Sequence, residues 1–132
     1  MKINIISVGH KPPKWIDEGC KEYLKRFSRK LSVSLTEIKP AFRIGDVDKN
    51  HAARKIEKER ILSKSHKNAL LIVLDENGVT TTTPELATLL KNLMNEGRNI
   101  DFAIGGADGL GPDLKKMASK TSCRNCNNYK FD

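Results

Sequence analysis

Residues 2–8 form an almost unbroken apolar run that stops at Gly9. That is the pattern of a strand buried on both faces of a parallel sheet. Over 15–27 the period changes: Ile16, Cys20, Tyr23, Leu24 and Phe27 fall on one helical face, with Lys21, Lys25 and Arg26 opposite. Residues 31–38 alternate through Leu31, Val33 and Leu35 and break at Lys39-Pro40, which suits an outer strand. A polar loop at 41–50 leads into a highly charged helix at about 48–65. Its apolar stripe (Ala52, Ala53, Ile56, Ile61) is thin, so a surface helix is expected. Residues 69–74 are the clearest buried strand, and Asp75-Glu76-Asn77-Gly78 is expected to end it.

Thr83 and Pro84 read as an N-cap and the first helical position. The helix they open sets Leu86, Leu89, Leu90, Leu93 and Met94 on one face and stops at Gly97. A further strand covers 99–104, a glycine-rich loop 105–111, and Pro112 opens a short helix to about 118. Strands separated by helices predict an α/β fold, a mostly parallel sheet with helices on both faces. Residues 1–118 are expected to form this single domain. Residues 119–132 read as an atypical tail: from 121 they are polar and Asn-rich, without periodicity, and open to disorder.

The composition, 38% hydrophobic and 30% charged over 132 residues, suits one globular domain rather than a disordered chain. The longest apolar stretch, 69–74, is far short of a membrane span, and the first residues do not resemble a secretory signal. A cytoplasmic protein with no membrane association is expected. Charge adds something the pattern does not. Residues 11–67 carry the whole net charge of +8, and the remainder balances. A cationic front half suggests an anionic partner, nucleic acid being the commonest, although a solvated basic surface gives the same signal. Aromatics are 5% with no RNP-like spacing, so stacking on single-stranded bases has no support.

The cysteines are Cys20, Cys123 and Cys126, an odd number that argues against a disulfide framework. Cys20 reads as a small core residue. Cys123 and Cys126 make one C-x-x-C, and His10, His51 and His66 have no ligand spacing to it, so no metal site is expected. No Ser/His/Asp or Cys/His arrangement is present, and the catalytic residues remain unknown from side chains alone.

The chemistry concentrates at Ile104-Gly105-Gly106-Ala107-Asp108-Gly109-Leu110-Gly111-Pro112, which follows a strand and opens a helix. Ligands of parallel sheets bind outside the carboxyl ends of the strands, and glycines there let the backbone approach closely. The strict G-x-G-x-x-G and G-K-[ST] patterns are absent, and simple chain reversal is the alternative. Leu74, the last apolar residue of its strand, would share that edge with Gly105, and together they could hold a flat heterocycle. Alone, Leu74 reads as core. Asp75 and Glu76 are adjacent on an extended chain and point to opposite faces, which excludes a paired acid–base role.

The same residues carry a family resemblance. Residues 2–9, Lys14-Trp15, 22–27 (EYLKRF), 35–40 (LTEIKP), the Leu74-Asp75 strand end and above all 102–110 (FAIGGADGL) resemble the ribosomal large subunit methyltransferase H family, of the SPOUT superfamily. The likeness covers about residues 1–118. It implies a homodimer with a C-terminal trefoil knot that binds S-adenosylmethionine. It also implies methyl transfer to N3 of a pseudouridine in 23S rRNA on the assembled ribosome. By position, Leu74 and Gly105 would contact the methyl donor. The last stretch, 121–132 (TSCRNCNNYKFD), departs from the family's L-P-H-type loop and final helix, which complete the donor pocket, the knot and the dimer. The expectation is therefore an incomplete knot, weak or absent donor binding and an inactive chain. A non-catalytic RNA-binding or dimerisation module with the same core is the alternative, and a small flavodoxin-like nucleotide binder a third reading.

Overall fold

Strand β1 (Lys2–Val8) is buried on both faces because it lies inside the sheet, between β2 (Ser32–Ile38) and β4 (Ile100–Ile104). A computed structural model describes residues 1–42, 50–105, 111–114, 116 and 128–131. The remaining elements are α1 (Lys14–Leu24), α2 (Asn50–Lys64), β3 (Leu70–Thr81), α3 (Thr83–Asn95) and β5 (Asn128–Phe131). The strands form one sheet in the order β2-β1-β4-β3-β5, and every neighbouring pair is parallel. Ile3, Ile6, Ile72, Val73, Ile100 and Ala103 fill its centre. Each of the Ile and Val side chains contributes about 1.5–3 kcal/mol relative to exposure.

Parallel strands joined by right-handed crossovers put α1 and α3 on one face of the sheet and α2 on the other. Contacts agree. Ile5, Val33 and Leu35, which share a face, line a groove with Cys20, Tyr23, Leu24 and Phe27 of the α1 region. Asn4, on the opposite face, donates from Nδ2 to the Lys64 carbonyl at the end of α2 (3.3 Å). Its Oδ1 accepts from Thr36 Oγ1 (2.8 Å) and Ser34 Oγ (3.2 Å), so one buried amide ties β1 to β2 and α2.

Several expectations are corrected. Asp75-Glu76-Asn77-Gly78 does not end β3, which runs on to Thr81 with a register shift between Leu74 and Val79. The continuation has a backbone partner, because Val79, Thr80 and Thr81 pair with Tyr129, Lys130 and Phe131 of β5. That strand arises where the polar tail offered no pattern. An open sheet edge recruits a neighbour through main-chain groups, which sequence periodicity does not register. Helix α1 stops at Leu24 and buries none of its residues; Tyr23 and Phe27 are exposed, and Cys20 is half-buried rather than core. In α2 the inward stripe is Ala53, Glu57 and Ile61, while Ala52 and Ile56 face out. The Glu57 carboxylate is accommodated by the Ala41 N–H, which it accepts at 3.1 Å.

The N-cap of α3 is Thr82, one residue before the expected Thr83. A capping box pairs it with Glu85 and leaves Pro84 in the first turn. At the other end Gly97 (φ 68°) stops the helix as expected. The Arg98 N–H reaches the Leu93 carbonyl and the Gly97 N–H that of Met94, the two bonds of a Schellman motif. The expected loop residues Gly106 to Leu110, the tail cysteines Cys123 and Cys126, and the stretch on which a knot depends lie outside the described residues.

Candidate active site

Because the sheet is parallel, β1, β2 and β4 end on one rim, at Val8, Ile38 and Ile104. Register fixes the rim residue by residue. Ser7 pairs with Ile104, and Ile104 pairs with Leu74. Gly105 is the first residue past β4, so Leu74 and Gly105 stand on adjacent strands at the same edge. Both are half-buried, and Ile104 between them is 38% exposed. The rim thus offers two apolar side chains and a backbone with no Cβ to hold a ligand away. Asp75 follows Leu74 half-buried.

The same rim continues across β1. The Gly9 N–H donates to the Ile38 carbonyl (3.0 Å), holding the outgoing ends of β1 and β2 together. Above them opens a cleft of about 370 Å³ lined by His10, Lys11, Glu37, Lys39 and Pro40, with Gly9 and Ile38 at its base. One edge therefore combines an apolar seat at Leu74, Ile104 and Gly105 with a neighbouring cleft that sets Lys11 and Lys39 against the single carboxylate of Glu37. An apolar surface suits the face of a heterocycle, and the cationic flank suits an anionic group.

A buried carboxylate that sequence reading passed over lies on the opposite edge. Asp101 is 1% exposed and accepts from the His66 backbone N–H (2.6 Å), with the His66 ring Nδ1 at 2.8 Å. The signal was available: a charged residue inside the otherwise apolar IDFAI strand must have a partner. Its place at the start of β4 makes it a clasp for the turn between α2 and β3, remote from the rim.

A family model described as "Predicted SPOUT methyltransferase" matches residues 1–123. The chain belongs to the SPOUT methyltransferase family. Its all-parallel sheet with helices on both faces is consistent with that fold. Relatives of this SPOUT chain include proteins named "Ribosomal RNA large subunit methyltransferase H". That of Thiobacillus denitrificans is 46% identical over 120 residues, 91% of this chain and 76% of the relative. That of Dechloromonas aromatica is 44% identical over 118 residues, 89% of this chain and 74% of the relative. That of Burkholderia thailandensis is 45% identical over 120 residues, covering 89% and 75%. The SPOUT chain thus spans about three quarters of each. Among the described residues no helix is long and apolar enough to cross a membrane.

Proposed function

We propose that this SPOUT chain methylates ribosomal RNA of the large subunit, at N3 of a pseudouridine in 23S rRNA, with S-adenosylmethionine as methyl donor. The observation that carries the reading is the pairing of Leu74 with Ile104, with Gly105 immediately beyond, at the carboxyl edge of a parallel sheet. The residues fit the donor: Leu74 and Ile104 would lie against the adenine, and Gly105 would let the main chain approach it. When bound there, the donor supplies a methyl group already activated by its sulfonium. The protein's task is then to orient the acceptor nitrogen towards it and to let the N3 proton leave. A ribosomal substrate agrees with the cationic first half of the chain and with a cytoplasmic location.

Association of two copies fits the α1 side of the sheet. Tyr23, Phe27, Leu35 and Ile104 are all partly exposed around an apolar groove of about 340 Å³, a surface usually covered in an assembly.

Transfer of labelled methyl from S-adenosylmethionine to ribosomes lacking the modification tests the reading, with calorimetric titration of the donor alongside. Donor binding with methyl transfer supports the reading and overturns the weak donor binding and inactivity expected from residues 121–132. Ribosome binding with neither would assign the chain to the non-catalytic RNA-binding class instead.

A further inference from the structure

We infer that the first two turns of α2 form a phosphate-binding ridge that seats the RNA backbone beside the donor rim. The inference rests on the proposed RNA substrate and names where that substrate is held. His51, Arg54, Lys55 and Lys58 are spaced i, i+3, i+4, i+7 and therefore share one face of the helix. Ala53, Glu57 and Ile61 take the buried face, so the acidic Glu57 is turned inward and withdrawn from the ridge. His51 and Lys55 are exposed and Lys58 is half-buried, while Arg54 is half-buried with its Nε enclosed. Lys55 and Lys58 form no ion pair among the described residues.

Topology puts this ridge where the chemistry is. The chain leaves β2 at Ile38, on the rim, and returns along α2 to the opposite edge, where Lys64 meets Asn4. The first turns of α2 are thus its rim-proximal turns. A second contact fixes the position. The segment beginning at Gly111, which continues the chain from Gly105, packs directly on the ridge. A Cβ at Gly111 would lie 3.3 Å from Arg54 Cβ. The gap that His51, Arg54, Lys55 and Lys58 share with Gly111, Pro112, Asp113 and Leu114 is about 10 Å³, room for one water at most. Asp113 is the carboxylate of this contact, and Arg54, Lys55 and Lys58 outnumber it. Cations spaced along a helix that borders a ligand edge match successive phosphates of a nucleic-acid strand, and phosphate contacts position without reading sequence.

The test is the salt dependence of binding to purified large ribosomal subunits. The Lys55→Gln/Lys58→Gln variant is expected to bind about tenfold more weakly at about 0.1 M salt, with the slope of log K against log[salt] reduced by about two. The control variant Lys14→Gln/Lys25→Gln, at the first residue and the C-cap of α1 across the sheet, is expected to keep the parent slope. If the double variant loses its native circular dichroism, Lys55→Gln alone is expected to lower the slope by about one. An unchanged slope in the α2 variants, an equal loss in the α1 control, or no salt-dependent binding by the parent chain overturns the ridge. Calorimetric donor binding is read separately: its failure with an intact α2 effect counts against the donor site and leaves the ridge standing.

Discussion

Leu74 and Ile104 stand opposite each other across β3 and β4, and the chain passes directly from Ile104 to Gly105. Gly105→Val tests close approach of a ligand at this edge, with the thermal midpoint reading folding separately. It is expected to weaken S-adenosylmethionine binding at least tenfold, about 1.4 kcal/mol by calorimetry, with the thermal midpoint little changed. Undiminished donor binding in this variant would remove Gly105 from the site.

The Asp101–His66 clasp predicts an unequal pair of stability losses. Asp101→Ala strands the His66 N–H and opens a void in the sheet, and is expected to cost about 2–3 kcal/mol in urea unfolding. The His66 side chain is 42% exposed, so His66→Ala, which keeps the backbone bond, should cost under about 1 kcal/mol. Equal losses would show that the ring, not the backbone turn, is what Asp101 holds.

How much of this was legible in the residues differs from element to element. The runs at 2–8 and 69–74 announced interior strands because burial on both faces leaves no room for polar alternation. Gly97 announced its helix end because a left-handed residue is needed there. The Leu74 and Gly105 adjacency was readable once a parallel sheet was inferred. β5 was not, since edge pairing draws on main-chain groups that every residue has. The rotation of α2 was also hidden. Ala52, Ala53, Ile56 and Ile61 made an apolar stripe on paper, but the sheet selects Ala53, Glu57 and Ile61, and the Ala41 N–H donates to the buried Glu57 carboxylate. Misreading that rotation concealed the basic ridge as well.

Thr82 and Glu85 predict a pH-dependent cap. The Thr82 backbone N–H donates to Glu85 (2.8 Å), and that bond, followed by the one with the Thr82 side chain, holds the Glu85 carboxyl below its ordinary value of 4.5. A lowered folded value means the contribution is complete above the ordinary value and fades as pH falls through the lowered one. Urea midpoints measured from neutral to acid pH should show Glu85→Gln losing this part of the acid dependence. Thr82→Ala is expected to cost about 1 kcal/mol at neutral pH.

Trp15, the single tryptophan, is 74% exposed on α1. In a dilute monomeric sample its fluorescence should be red-shifted and fully quenched by iodide. A rise in protein concentration that shifts emission to the blue and protects it would show a second copy covering α1. Concentration-independent quenching would argue against that face as the dimer contact.

The sheet order has a consequence for the protein's own synthesis. The interior strands β1, β4 and β3 are the first, fourth and third to be made, and a single bond from the Lys2 N–H to Asn99 Oδ1 spans 97 positions. The edge of β1 that will meet β4 stays open until residues 100–104 have left the ribosome, an exposed template for wrong pairing. Contacts so distant in sequence also make closure slow. The nascent chain therefore depends on its early partner β2, and on whatever shields that open edge, until β4 emerges.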